Sequence, residues 1–459
     1  MEERAAHAKK QIKDEIAKYL LAIGAPNNHD VTLELLFDIV TPQLVYYYYT
    51  TYYQGTFEEY CNTTNIKVAL ENPILKEGIT KFRALMTTKE KFWQEVVKDN
   101  YVYLGDLHDV ITKIKSGNNV YYENLLDNEK YFQEIITDIV PVFKDLLPQF
   151  ETTQKYIKRH YIKFDDADFI PEKYFENFGL LLSFAFFFRL TDLHMENVVI
   201  SNNWTKLFDF EFAFSPDYDH INFGIMPTNL ISYKTEDNIS ALLGGYFPIN
   251  SYMKPILKID NVGKPEIVWK VPSKRNLHNI PSEEKRNKLH PKQYVENIMT
   301  GFKKGNQELT SNRDKIIKLT QNADFKVRQL VRPTRQYRYL MISYAYPQNH
   351  TELSLEEYYN RAFKYEPWKD FFNPIGNILK PLELKDCAAL TIPYYYSDIR
   401  KKEVYHSSGK VIGYLKEAPI ESFLKHVEPT NYEKFVKRHI ANTKRILTIN
   451  YKDYINEVV

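Results

Sequence analysis

The stretch Arg189–Phe214, RLTDLHMENVVISNNWTKLFDFEFAF, follows directly on an apolar run, FGLLLSFAFFF (Phe178–Phe188). Polar groups come in two bursts. Asp192, His194 and Asn197 arrive first; a short apolar strand, the turn SNNWT and a second apolar strand then deliver Asp209 and Glu211. Hydrophobic sequence that twice ends in carboxylates is a scaffold holding acids at one place. Those acids can bind a metal, move a proton, or close salt bridges.

Working outward, Phe178–Arg189 reads as a fully buried helix, and Val198–Ile200 with Lys206–Phe208 as two short strands. Upstream, VYLGDLHDVITKIKSGNNVYYENL alternates around the turn signal SGNN and reads as a β-hairpin. NEKYFQEIITDIVPVFKDLL follows as a helix broken near Pro141. Residues 1 to about 98 have helical apolar spacing, as in VTLELLFDIVTPQLV. Downstream of Glu211 the chain reads as loop-rich to about Asp260. NRDKIIKLTQNADFKVRQL then reads as helix and strand, and the last hundred residues as helical, with LTIPYYYSD an ordered loop.

Composition excludes several classes. The 459 residues suffice for roughly two to three domains. A formal charge of +2, with no block of one sign, argues against a nucleic-acid partner. The only cysteines, Cys61 and Cys387, are far apart and accompany no histidine cluster, which disfavours a disulfide framework or a thiolate zinc site. The N-terminus is amphipathic rather than signal-like, and Phe178–Phe188 is too short to span a bilayer. No membrane span and a cytoplasmic location are therefore expected. The 36 tyrosines, densest in VYYYYTTYY (Val45–Tyr53), read as packing material whose hydroxyls stay hydrogen-bonded.

Phosphoryl transfer needs hard oxygen ligands for Mg²⁺ and a carboxylate beside the acceptor hydroxyl. In protein kinases an Asp and, five residues on, a metal-binding Asn share one loop, and a second metal-binding Asp follows a strand pair. Asp192, Asn197 and Asp209 have that arrangement. Singly, Asp192 would read as a cap, Asp209 as a turn opener, His194 as a structural histidine and Glu211 as a salt-bridge partner. Together they predict a nucleotide-phosphate site, the loop and the hairpin bringing both carboxylates and the amide around one cation. The order of elements predicts an α+β, kinase-like bilobal fold. Its divisions are an N-terminal helical region (1–98), a small β-containing lobe (99–150) and a larger, mostly helical lobe (151–459).

TDLHMENVVI followed by KLFDFEFAF resembles the catalytic segment of the dehydratase domain of class II lanthipeptide synthetases, the LanM family. LGDLH (Leu104–His108), VRQLVRPTRQY (Val327–Tyr337) and LTIPYYYSD (Leu390–Asp398) are similar to three further segments of that family, in the same order. The resemblance implies an enzyme that uses ATP and Mg²⁺ to phosphorylate Ser and Thr in a ribosomally made precursor peptide. It then eliminates phosphate to leave dehydroalanine or dehydrobutyrine. By the match Asp192, His194, Asn197, Asp209 and Glu211 serve transfer, with Asn197 and Asp209 as the metal ligands and Asp192 orienting or deprotonating the hydroxyl. Arg328, Thr334, Asp106 and His108 serve elimination: a guanidinium grips phosphate oxygens, and a histidine carries a proton near neutral pH.

Two departures qualify the resemblance. Where the family has a strand reading VYKP, whose lysine contacts nucleotide phosphates, this chain reads VYYEN, which sets Glu123 at the lysine's place. A lost charged hydrogen bond is worth about 1.5–3 kcal/mol, or one to two decades in rate, and Lys113 or Lys115 on the neighbouring strand is a possible substitute. The sequence also lacks the cysteine-histidine set of the family's zinc cyclase, so ring closure is expected from a separate protein. Three alternatives stay open: a phosphotransferase without elimination, a pseudokinase that binds peptide, and a lyase acting on peptide phosphorylated elsewhere.

Overall fold

The computed structural model describes residues 2–23, 30–51, 53–104, 113–209, 211–215, 228–231, 240–242, 254–270, 278–279, 281–282, 291–332, 334–344, 354–363 and 372–449. Among the described residues the chain opens with helices α1 (Glu2–Ala22), α2 (Asp30–Thr50), α3 (Phe57–Tyr60), α4 (Thr63–Leu70) and α5 (Pro73–Val96). Their apolar spacing explains their packing. In α1 Ala8, Ile12, Ile16 and Leu20 recur every fourth residue, share one face, and are buried in a core with α2 and α4. Thr56 and Glu59 form a reciprocal cap that starts α3.

The first sheet holds β1 (Val102–Leu104), β2 (Lys113–Ser116), β3 (Asn119–Glu123), β4 (Phe150–Thr152) and β5 (Tyr156–His160), in the order β1-β2-β3-β5-β4, antiparallel throughout. The β2–β3 hairpin turns at Gly117 and Asn118, with Gly117 in the left-handed region that glycine accepts at little cost. Between β3 and β4 lie α6 (Asn128–Glu134), a π-turn (Ile135–Ile139) and a 3₁₀ turn at Pro141, where the missing amide ends the helix as expected. Strand alternation assigns the faces. Tyr103, Ile114 and Tyr121 pack against Phe82, Met86 and Trp93 of α5, while Val120, Tyr122 and Ile157 join the central core on the other side. This sheet continues to His160, past the division drawn at residue 150, because β4 and β5 are short strands after an irregular connection.

Helix α7 (Pro171–Phe187) is buried nearly all round, which explains an apolar run without a polar face. It crosses α8 (Val295–Ser311) at two glycines: a Cβ on Gly179 would collide with the Ile298 carbonyl, and one on Gly301 with that of Glu176. Between these helices in sequence come β6 (Val198–Ser201) and β7 (Trp204–Leu207), a hairpin whose turn residues Asn202 and Asn203 are both left-handed, and β8 (Lys254–Ile259) paired with β9 (Pro265–Lys270). Trp204 and Thr205, read from sequence as turn, are strand. Most of the region read as loop between Glu211 and Asp260 lies outside the described residues, but its end is β8.

After α8 come α9 (Arg313–Asn322), β10 (Lys326–Gln329), α10 (Thr334–Tyr344), α11 (Leu355–Ala362), β11 (Phe372–Pro374), α12 (Leu379–Ala388), β12 (Tyr395–Asp398), β13 (Glu403–His406), β14 (Val411–Leu415), α13 (Pro419–Val427) and α14 (Pro429–Ile449). Strands β10-β12-β13-β14-β11 form a second antiparallel sheet. This corrects the expectation of a helical C-terminal region with LTIPYYYSD as a loop. Strands this short show almost no period; the available signal was HSSGK, a turn in which Gly409 is left-handed. His406 anchors that turn. Its Nδ1 accepts from the Ser408 amide (3.1 Å), leaving the proton on Nε2, 2.7 Å from buried Asp386. Among the described residues no helix is long and apolar enough to cross a membrane.

Candidate active site

The acids converge because three segments are stitched by backbone hydrogen bonds. The Thr191 amide donates to Phe212 O (3.0 Å), the Phe208 amide to Asn197 O (3.3 Å), and the Arg328 amide to Glu211 O (3.2 Å). The loop after α7, the end of the β6–β7 hairpin and strand β10 therefore meet at one point. Asp192 is left-handed (φ 63°), a conformation Asp tolerates better than most residues. The Asn197 amide nitrogen donates to Asp192 O at 2.8 Å, which closes the loop on itself.

Glu211 is the hub. Its Oε1 accepts from Lys113 Nζ (3.0 Å); its Oε2 accepts from Arg328 Nη1 (3.1 Å) and from the Tyr394 hydroxyl (2.9 Å). Lys113 also donates to Asp209 Oδ2 at 2.8 Å. The Arg328 guanidinium lies 4.7 Å from the ring centres of both Phe212 and Tyr394, so its faces are covered and its N–H edge is turned to the carboxylate. His194 Nε2 is 3.8 Å from Asp192 Oδ1. Burial pushes the Asp192 carboxyl above its ordinary range, and Asp209 and Glu211 push the same way, while His194 and Arg328 oppose them. Arg328, despite burial, is held above its usual value by Glu211, and Lys113 by Asp209 and Glu211.

Five predicted residues are thus brought together with Arg328: Asp192, His194, Asn197, Asp209 and Glu211. Thr334 opens α10, and among the described residues no hydrogen bond joins it to the acids. Asp106 and His108 lie outside the described residues.

The strand β3 residue that faces this cluster is Tyr122, not Glu123. Tyr122 is the cross-strand partner of Lys113. Its ring centre is 6.0 Å from Lys113 Nζ and 5.1 Å from the Arg159 guanidinium carbon, and its hydroxyl donates to Glu129 Oε1 at 2.9 Å. Glu123 points to the opposite face and pairs with Lys89 of α5 at 2.6 Å. Glu123 is thus turned away from the acids, and Lys113, not Lys115, brings an amine to them. Lys115 lies over the Tyr161 ring at 3.9 Å. Glu129 was missed in the sequence because only the fold buries it; desolvation pushes its carboxyl up to about 7. Tyr394 was within a recognised segment but carried no assigned role.

The donors fit a hard cation in kind: an Asp209 carboxylate and an Asn197 amide oxygen, the amide nitrogen being used by Asp192 O. Among the described residues no three His, Cys, Asp or Glu side chains form a metal cage.

The family described as a domain of unknown function (DUF4135) matches residues 76–398. The lacticin 481/lactococcin biosynthesis protein LcnDR2 of Lactococcus lactis subsp. lactis is 22% identical over 441 residues, 84% of this chain and 46% of that protein. The chain thus spans about half the length of the curated relative it matches. The matched region takes in Asp192, Asn197, Asp209, Glu211, Arg328 and Tyr394, and this chain belongs to the DUF4135 family, whose likeness is to LanM-type dehydratases.

Proposed function

We propose that this protein is a kinase-like Ser/Thr dehydratase acting on a ribosomally made precursor peptide. It would use ATP and Mg²⁺ to phosphorylate a side-chain hydroxyl and then expel the phosphate. The observation that carries this reading is the direct ion pair between Glu211, a residue of the transfer set, and Arg328, a residue of the elimination set (3.1 Å). In the same reading the fold is a kinase-like bilobal one: the first sheet with α6 forms the small lobe, and the remainder from α7 onward the large lobe.

Bound Mg²⁺ would screen the triphosphate, with Asp209 and the Asn197 amide oxygen as its protein ligands. The chain's own residues do the rest. Asp192, with its carboxyl pushed up by burial, is a better proton acceptor than an ordinary aspartate and takes the hydroxyl proton as that oxygen bonds the γ-phosphorus and the bond from the γ-phosphorus to the bridging oxygen breaks, its electron pair leaving with ADP. Lys113 supplies the amine on the phosphate side. In elimination the Cα proton is removed and the Cβ–O bond breaks; its electron pair leaves with the phosphate, which Arg328 stabilises by charged hydrogen bonds. His108 and Asp106 are proposed for the proton, and Thr334 for a further hydrogen bond to phosphate. Thioether closure is outside the chemistry proposed for these residues and is left to a separate cyclase activity.

Incubating the protein with its precursor peptide, ATP and Mg²⁺ should give a mass loss of one water per modified site. Arg328→Ala should instead accumulate phosphopeptide, with dehydration slowed about ten- to a hundredfold, as expected for loss of a charged hydrogen bond. A persistent phosphopeptide with the unmodified protein would favour a phosphotransferase without elimination.

A further inference from the structure

The Glu211 carboxylate is surrounded as a bound anion would be. Three donors from three separate segments converge on it: Lys113 from β2, Arg328 from β10 and Tyr394 from the stretch before β12. Lys113 reaches one oxygen, and Arg328 with Tyr394 the other. The Tyr394 ring already covers the guanidinium face, a task phenylalanine would perform equally well, so its hydroxyl has a separate purpose. Tyr394 is 2% exposed, and burial beside Glu211 pushes its phenol far up, so it remains a donor throughout the working pH range. A neutral phenol adds directionality without adding a third positive charge.

We propose that Lys113, Arg328 and Tyr394 form one seat for a phosphate group, that the Glu211 side chain fills this seat when no phosphate is bound, and that Tyr394 is a phosphate-binding residue. The proposal rests on the phosphoryl chemistry argued above and adds two things to it: a third donor and a built-in competitor. Glu211 keeps two cations and a buried hydroxyl satisfied until a phosphate oxygen replaces its own. No bond is made or broken in this exchange; one anion displaces another.

Inorganic phosphate is the probe, titrated calorimetrically into the full chain, with thermal melting to confirm that each variant is folded. Glu211→Gln removes the competing charge and should bind phosphate at least about tenfold more tightly than the unmodified protein. Adding Tyr394→Phe to that variant should lose about tenfold, the scale of one hydrogen bond to a charged group. Glu211→Ala serves if the glutamine variant fails to fold. A Glu211 variant that binds phosphate no better than the unmodified protein, or a tyrosine change without effect on affinity, overturns the seat. A dehydratase reading that survives its peptide assay is untouched by that outcome. If phosphate binds as described but no precursor is phosphorylated or dehydrated, the enzymatic reading falls and the anion seat stands.

Discussion

Two arginines four residues apart, Arg328 and Arg332, meet the same kinds of partner and come to different ends. Arg332 Nε is 3.2 Å from Glu383 Oε1, and its guanidinium carbon is 4.4 Å from the Phe363 ring centre. Tyr337, Tyr359 and Tyr395 all donate to the same carboxylate. Arg328 has Glu211, Tyr394 and Phe212 in those parts. The exposures separate them: 2% and 0% for the Arg332–Glu383 side chains, 10% and 12% for Arg328–Glu211. Around Glu383 the partners among the described residues are neutral phenols and Arg332, and the carboxylate is sealed. Around Glu211 a lysine and further acids border the pair. A sealed ion pair holds elements together; one bordered by other charges can change partners.

The largest test of this contrast is removal of each carboxylate. Glu383→Ala leaves a buried guanidinium and three phenols without their acceptor, and should cost about 3–5 kcal/mol in denaturant unfolding. Glu211→Ala should cost much less, because Lys113 retains Asp209 and Arg328 lies nearer solvent. Equal losses would remove the distinction between lock and site.

A second test uses Glu129, the buried carboxyl bonded to Tyr122 behind the open cluster. Its folded value of about 7 exceeds the ordinary 4.5. Between those values the unfolded chain has lost the proton and the folded chain keeps it, so stability falls as pH rises through that window, by about 3 kcal/mol in all. Below 4.5 both states are protonated and the penalty is absent. Glu129→Gln should flatten this slope, and urea unfolding at pH 5 and pH 8 reads it directly. An unchanged slope would show that Glu129 is not the group titrating in this window.

The smallest effect on stability and a large one on chemistry belong to Lys113. Lys113→Met should slow peptide phosphorylation about ten- to a hundredfold while shifting the melting temperature little. Unaltered phosphorylation would mean that the open cluster does not use its lysine.

How far the sequence disclosed all this depends on the kind of signal. The acids were legible because a loop, a hairpin and their intervals are local, and five residues within twenty positions carry the pattern. The first sheet's hairpin and the buried helix were legible from alternation and from an apolar run. The second sheet was not: three- to five-residue strands offer no period, and β10 pairs with β12 across nearly seventy residues. Glu123 shows the same limit. Its neighbour Tyr122 faces the cluster, and one residue of strand offset reverses which side chain meets the acids. Tyr394 and Glu129 owe their character to burial, which no local pattern encodes.

The glycine crossing of α7 and α8 fixes something more. Two main chains in direct contact have no side chain between them that could repack, so neither helix can slide without separating from the other. The loop bearing Asp192 begins where α7 ends, and thus inherits a mechanical reference point from a helix that comes a hundred residues later.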